Sequence, residues 1–326
     1  MRAYIIRRLL LAIPTVFLAS LIIFFTVRLI PGDIIDIMAR EMQWFTPMSR
    51  VEIEHALGFD VPMLTQYGRW MGFVPQADGS FSGILEGNLG NSLWKKTPVT
   101  DAVLERMPVT LELSFLALLI AQLIALPIGI YSALRQDTWG DYIARSFATF
   151  CIAVPGFWLG TMIVVFPSIW WGYMPSILYI PFTEDPLANL EMFIIPAIVL
   201  GMLLAGTSMR MIRTMMLDVL RQDYIRTAWA KGLRERIVII RHALKNALIP
   251  IITLVGLQVP IVLGGTVIIE QIFCLPGMGR LIFQTTQNRD YTVVCGLMLL
   301  FAIGIVLANL AVDLTYGFLD PRIRYR

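Results

Sequence analysis

The sequence predicts an all-α polytopic membrane protein with six transmembrane helices and both termini in the cytoplasm. Of its 326 residues, 57% are hydrophobic and 15% are charged, with a mean hydropathy of +0.72, whereas soluble domains are about half apolar and a quarter charged. The apolar residues form uncharged runs near the roughly 20 residues that a helix needs to cross a bilayer. The runs do not alternate as barrel strands do, so they indicate helices.

The six predicted spans are the apolar cores of these runs. They lie at about Leu9–Leu29, Thr110–Leu134, Ser146–Pro167, Phe193–Met209, Leu248–Ile269 and Val293–Tyr316. The third run continues to Thr183, too long for one span and too short for two. Pro167, Trp170 and Trp171 indicate that it leaves the membrane there, since aromatic rings favour the interface.

The distribution of Lys and Arg fixes the orientation. With the N-terminus inside, segments 1–8, 135–145, 210–245 and 317–326 are cytoplasmic and carry 17 of the 26 basic residues. A seventh span would place the segment 210–245, with nine of these residues, on the opposite side from the N-terminus. The positive-inside rule therefore favours six spans.

The chain divides into three predicted parts. Residues 1–30 form a short tail and the first span, and residues 31–107 form an external region. Residues 108–326 form a five-helix core with a cytoplasmic segment at 210–248. The external region shapes the substrate entrance in one interpretation and is a lid or brace without substrate contact in the other.

Ionisable residues inside spans are costly and draw attention to function. Glu112, Glu270 and Asp313 are the candidates, and each lies near a predicted helix end, where we expect its side chain to reach water. No acidic or histidine series crosses the membrane, which argues against a proton-coupled transporter. Gly201 and Ala205 have a small-xxx-small spacing that predicts close helix contact.

The segment 223–250, DYIRTAWAKGLRERIVIIRHALKNALIP, is basic and amphipathic and lies between two spans. Asp223 is the predicted N-cap of a first short helix, and Gly232 is placed as the C′ residue that ends it. The apolar face of this helix is predicted from its spacing to comprise Tyr224, Ile225, Ala228 and Trp229.

A second helix is predicted to follow Gly232 and to continue into the fifth span. Its expected apolar stripe is Ile237, Ile240, Leu244 and Leu248. Two interpretations remain for the pair of helices: a hairpin on anionic lipid, or a helix that docks into a groove on a protein. The defined stop at Gly232 favours docking, because a lipid-surface helix needs none.

The sequence contains no Gly-Lys pair and therefore no G-x-x-x-x-G-K-[ST] phosphate loop. Its two histidines, His55 and His242, form no H-E-x-x-H motif, and no G-x-S-x-G is present. The PGMG sequence at 276–279 follows no predicted strand. We interpret PGMG as a tight turn or re-entrant element at an external gate, whose residues are Glu270, Pro276, Gly277 and Gly279. The alternative is a plain surface turn.

Several stretches together resemble the dipeptide/oligopeptide (and nickel) permeases of ATP-binding-cassette importers. The resemblance covers nearly the whole chain and is carried, in order, by LIPGD, LGFDVPMLTQYGRW, GNLGNS, RMPVTLELS, DYIRTAWAKGL, RHALKNALIP, IIEQIFCLPGMGRL, NRDYTVV and LDPRIR. It implies a type I importer-like fold in a prokaryotic plasma (inner) membrane.

The resemblance also implies a mechanism and partners. A second homologous permease would complete the pathway, two ATP-binding subunits would hold ATP and Mg, and an extracytoplasmic solute-binding protein would deliver the substrate. No cofactor is expected in this chain, and its only other partner would be membrane lipid, with no nucleic acid. The implied ATPase-coupling residues are Asp223, Tyr224, Ile225, Arg226, Ala228, Trp229, Ala230, Lys231 and Gly232. Trp229 departs from the basic or small residue usual there.

The predicted function is therefore that of a non-catalytic permease subunit for di- or oligopeptides. Nickel chelates, glutathione and oligosaccharides are the alternative cargoes. An ion-coupled secondary transporter would require charged groups near the membrane midplane or an inverted repeat, and neither is evident. An intramembrane enzyme would require a nucleophile with a base or paired metal ligands at membrane depth, and both histidines lie outside the spans.

Overall fold

A computed structural model describes residues 2–29, 51, 54, 58–172, 174–176 and 178–319. Its helices are α1 (Arg2–Arg28), α2 (Met63–Met71), α3 (Val99–Leu134), α4 (Trp139–Ala153), α5 (Gly156–Trp171), α6 (Pro186–Leu220), α7 (Asp223–Ala230), α8 (Lys245–Ile272), α9 (Met278–Gln287) and α10 (Tyr291–Leu319). A 3-10 turn lies at Ile84–Glu86, a helical turn at Glu235–Ile237 and a π-helix at Val238–Leu244.

The helices in these described ranges agree with six membrane spans when one bent pair is counted as a single span. Five helices are long and apolar enough to cross a bilayer, and the bent pair α4 and α5 supplies the sixth. The third span predicted over 146–167 is divided between α4 and α5, which meet at 89°. Val154 is extended and Pro155 precedes α5, as expected for a residue that proline excludes from the helical region.

Helix α6 is much longer than its predicted apolar core. Asp185 caps it, since its carboxylate accepts hydrogen bonds from the backbone N–H groups of Leu187 and Ala188, and Pro186 occupies the first turn. The helix then continues for 35 residues to Leu220. Hydropathy alone detects only the part of such a helix that lies in lipid.

The chain separates into two compact units, of which the first comprises residues 1–8, 109–279 and 307–326. Helix α6 is its centre and packs against α4, α5 and α8. Helix α6 also approaches α3 closely at Gly201, where a Cβ would lie 2.7 Å from the backbone oxygen of Ala117. The close approach predicted at Gly201 is therefore present, and its partner is backbone.

The first unit contains two groups of buried apolar side chains. One is formed by α3, α4, α6, α8, the π-helix and the two inward residues of α7, Ile225 and Ala228. The other surrounds Leu113, Phe193 and Phe273. The short helix α7 is thus part of the fold of this unit and does not project free of it.

The second unit comprises residues 9–108 and 280–306. Phe24 of α1 packs with Tyr67 and Met71 of α2, and Ser20 shares a hydrogen bond of 2.9 Å with the Tyr67 hydroxyl. The Asp290 carboxylate accepts hydrogen bonds from Ser92 Oγ and the backbone N–H of Leu93. The described part of the region predicted to be external therefore packs against α1 and is hydrogen-bonded to Asp290.

Candidate functional site

Helix α7 has eight residues and begins just after α6 ends. The predicted N-cap at Asp223 is wrong, since Gln222 takes that place and makes no side-chain hydrogen bond there. Asp223 is the first helical residue, and its carboxylate lies 3.5 Å from Arg226 Nη1. A carboxylate in the first turn complements the positive end of the helix dipole, so Asp223 still favours a helix start at this position.

Gly232 ends α7 as predicted. Its φ is +71°, and its N–H donates to the carbonyl of Trp229 at 2.9 Å while the N–H of Lys231 donates to Thr227. A Cβ added at Gly232 would meet nothing within 4 Å. The glycine is therefore required by its left-handed backbone conformation and not by lack of space.

The four apolar residues of α7 form one face, with different exposures across it. At 100° per residue they span about 140°, with Ala228 and Ile225 in the middle and Tyr224 and Trp229 at the two edges. The middle residues are buried in the core of their own unit, and the edge residues are 43% and 45% exposed. The apolar face is thus already occupied, contrary to a helix that inserts this face into a partner.

The face of α7 that remains available is polar. Asp223, Arg226, Thr227 and Ala230 are all exposed on it, with the Tyr224 and Trp229 rings at its margins. We call these six residues the outward face of α7. A partner would meet one carboxylate, one guanidinium and the edges of two aromatic rings. This surface is suited to hydrogen bonding and aromatic packing more than to burial of a continuous apolar stripe.

The segment after Gly232 differs from the predicted regular helix. Residues Val238–Leu244 form a π-helix, in which the hydrogen bonds run i→i+5 and side chains drift from the 3.6-residue period. Val238 and Ala243 are buried, whereas Ile237 and Ile240 are exposed. The predicted stripe is therefore wrong at Ile237 and Ile240, while its later members Leu244 and Leu248 pack against the core as expected.

One side-chain hydrogen bond links α7 to the start of α8. The amide Nδ2 of Asn246 donates to the Tyr224 hydroxyl at 2.8 Å. Tyr224 therefore has two contacts of different kinds: its ring borders the outward face, and its hydroxyl bonds to the helix that carries the chain into the membrane.

The predicted gate residues gather around one buried carboxylate. Glu270, near the end of α8, is fully buried, and Thr110 Oγ1 donates to its Oε1 at 2.7 Å. The backbone N–H of Met278 donates to Thr110 Oγ1 at 2.8 Å. The expectation that Glu270 reaches water is wrong, because Thr110 and the 277–279 backbone enclose it.

The two glycines of PGMG are explained by close approach. A Cβ at Gly277 would overlap the Glu270 carboxylate, and one at Gly279 would lie 2.5 Å from Cα of Val267. Pro276 is partly buried beside them. The loop is thus a tight turn built around a side chain of its own unit, which is more specific than a plain surface turn.

The other two ionisable candidates retain some exposure. Glu112 lies 3.4 Å from the Tyr179 hydroxyl, and burial, followed by the charge of Glu112, raises the pKa of Tyr179. Asp313 pairs with Arg8 at 2.9 Å. Among the described residues, no three His, Cys, Asp or Glu side chains are grouped to hold a metal ion.

Comparison with known proteins identifies relatives over the full chain. The family model described as binding-protein-dependent transport system inner membrane component matches residues 125–325, and the model for the N-terminal part of such components matches residues 1–114. The dipeptide transport system permease protein DppB of Escherichia coli K12 is 37% identical over 349 residues, with both chains covered completely. That of Alkalihalophilus pseudofirmus is 36% identical over 345 residues, again with complete coverage.

A solved structure shares the fold. The inward-facing MetNI methionine ABC transporter superposes with a TM-score of 0.55 at 15% sequence identity, covering 68% of this chain and 97% of that one. At this identity the likeness concerns the arrangement of helices alone. It supports a type I importer-like helical core.

Proposed function

The chain belongs to the family of binding-protein-dependent transport system inner membrane components, and we propose from that premise that it carries di- or oligopeptides. It is a multi-pass permease of the bacterial inner membrane and works with ATPase and substrate-binding partners. In our proposal a second related permease completes the pathway, and two ATPase subunits bind ATP and Mg. This chain itself catalyses no reaction.

In the same proposal α7 is the coupling helix, which docks on an ATPase subunit, and the observation that carries this role is its outward face. A helix of eight residues lies between two membrane helices, ends at a glycine with positive φ and buries its apolar side in its own chain. Because Ile225 and Ala228 are buried in the first unit, α7 is held rigidly against it. Force applied to its exposed polar side passes into α6 and, through the Asn246–Tyr224 hydrogen bond, into α8.

The peptide assignment is supported by relatives whose names specify dipeptide transport and that match this chain from end to end. No feature of the described residues favours a nickel chelate, glutathione or an oligosaccharide over a peptide. Specificity in such a system also depends on the binding protein, so the substrate has to be tested in the complete assembly.

The test is uptake by proteoliposomes that contain the four-subunit assembly, with ATP inside and the binding protein outside. We expect entry of labelled Ala-Ala to require both ATP and binding protein and to be competed by unlabelled di- and tripeptides but not by alanine. Uptake driven by an ion gradient without ATP would overturn the importer assignment. ATP-driven uptake of nickel chelate, glutathione or an oligosaccharide with no peptide competition would overturn only the peptide assignment.

A further inference from the structure

Asp141 is a fully buried carboxylate at the start of α4, in the segment 135–145 that the sequence predicts to be cytoplasmic. Its Oδ1 accepts hydrogen bonds from Ser132 Oγ of α3 at 2.5 Å and from Arg213 Nε of α6 at 2.9 Å. Its Oδ2 accepts from Arg213 Nη2 at 2.9 Å and from the backbone N–H of Asp137 at 3.0 Å. One side chain thus joins three helices and the turn between two of them.

Arg213 makes a bidentate contact with the Asp141 carboxylate. Two parallel N–H···O bonds fix the guanidinium plane against the carboxylate and so fix direction as well as distance. Arg145, one turn further along α4, lies 3.6 Å from the same carboxylate. Burial of a carboxylate is costly unless charge and hydrogen bonds compensate it, and here all of its near partners supply positive charge or a donor.

The same three helices approach one another closely at two glycines near this cluster. A Cβ at Gly129 of α3 would lie 2.8 Å from Cβ of Ile212 on α6, and a Cβ at Gly206 of α6 would lie 2.8 Å from the backbone oxygen of Ala148 on α4. At Gly206 the Ile152 side chain of α4 lies equally near, 2.7 Å from the added Cβ. The three helices are therefore closely packed here, and the Asp141–Arg213 ion pair adds a charged link between α4 and α6.

Arg213 of this cluster lies close in sequence to α7, the helix on which the ATPase would act in our proposal. Arg213 is seven residues before Leu220, where α6 ends, which is about 10 Å along a helix, and α7 begins at Asp223. Without the ion pair, α6 could bend or rotate at its end when α7 is displaced. With it, the start of α4 and the last part of α6 have to move together.

On this basis we propose that Asp141 is a positioning residue for coupling, which locks α4 and α6 into one body so that a displacement of α7 moves both. This rests on the proposed coupling role of α7. Its alternative is a purely local role, in which Asp141 only closes the α3–α4 turn through Asp137. The two differ in what Arg213 does, because Arg213 takes no part in that turn.

The experiment compares D141N, R213K and S132A in the full assembly in proteoliposomes, with ATP hydrolysed per peptide imported as the readout. D141N removes the negative charge of the carboxylate. R213K keeps a positive charge but loses the bidentate contact. S132A is the matched control, since it removes one hydrogen bond to the same carboxylate and leaves the α4–α6 ion pair. Yield and thermal stability of the assembly are measured alongside.

We expect D141N to raise the ATP-to-peptide ratio at least about fivefold, the lower end of typical coupling effects between sites, with R213K intermediate and S132A near wild type. An unchanged ratio in assembled D141N or, if that variant does not assemble, in R213K would overturn the proposal. A rise in S132A equal to that in D141N would also overturn it, in favour of the local role. Failure of the wild-type assembly to import peptide with ATP would instead refute the proposed function.

Discussion

The carboxylate of Glu270 occupies the space that a side chain at Gly277 would need. The two residues are close in sequence, and the turn between them folds back so that the backbone lies against the carboxylate, with Leu275 N–H donating to the Glu270 carbonyl at 2.9 Å. A glycine in PGMG is therefore a packing requirement imposed by a buried acid.

Gly277→Ala is expected to destabilise the assembly. The added methyl group has to displace a buried carboxylate, and overpacking of this kind costs about 1–3 kcal/mol. The measurement is the thermal unfolding midpoint of the purified assembly in detergent. Gly264→Ala is the control, since a Cβ at Gly264 in α8 meets nothing within 4 Å, and equal midpoints for the two variants would contradict this explanation.

Thr110 links α3 to the same turn, because its hydroxyl donates to Glu270 and accepts from the N–H of Met278. Thr110→Val keeps the shape of the side chain but leaves both partners without that bond, a loss of about 1–3 kcal/mol for a buried group. Thr110→Ser retains the hydroxyl. We expect the valine variant to unfold at a lower temperature than the serine variant, and the reverse order would refute the assigned hydrogen bonds.

Gln258 joins α8 to α6 deep within the first unit. It is buried, and its Nε2 lies within hydrogen-bonding distance of the Leu204 carbonyl, Thr207 Oγ1 and Ser208 Oγ, at 3.0 to 3.2 Å. Polar contacts between membrane helices contribute about 0.6 kcal/mol on average, so Gln258→Leu is expected to lower stability by about 1 kcal/mol. Gln258→Glu should be worse, because it introduces a buried charge; a glutamate variant as stable as wild type would argue against this burial.

Substitutions at Gly232 test whether the positive φ at the end of α7 is needed for uptake. Alanine at φ +71° costs about 1–2 kcal/mol, whereas asparagine tolerates this conformation better, and proline is incompatible with it because its φ is fixed near −65°. We expect ATP-driven uptake to fall in the order Gly, Asn, Ala, Pro while the protein still reaches the membrane. Equal uptake by the asparagine and proline variants would show that the helix stop does not matter.

The sequence was sufficient for features that hydropathy, charge and glycine dictate. The six spans follow from apolar length, and the end of α7 follows from Gly232. The Asp223 cap was wrong because a helix can begin one residue earlier with no side-chain cap at all, as it does after Gln222. The predicted stripe through Ile237 and Ile240 is wrong because it assumes the 3.6-residue period of an α-helix. The π-helix at Val238–Leu244 has a different period, and no residue type in the sequence indicates it.

The contacts of the candidate site could not be obtained from sequence alone. Asp141 and Arg213 are 72 positions apart, and nothing in the local pattern of either distinguishes a buried ion pair from two solvated charges. Glu270 was singled out, but its burial depends on Thr110, 160 positions away. The opposite faces of α7 were likewise ambiguous, since an amphipathic helix has the same pattern whether its apolar side meets a partner or its own chain.

Cysteine cross-linking in the assembled importer tests the outward face of α7 most directly. Arg226→Cys places a thiol on that face, and Ala228→Cys places one on the buried side of the same helix. With a short bifunctional thiol reagent and single cysteines introduced into the ATPase subunits, we predict a permease–ATPase cross-link from position 226 that changes in yield when ATP is added, and none from position 228. A cross-link from 228 but not from 226, or from neither, would contradict the assignment of α7 as the coupling element.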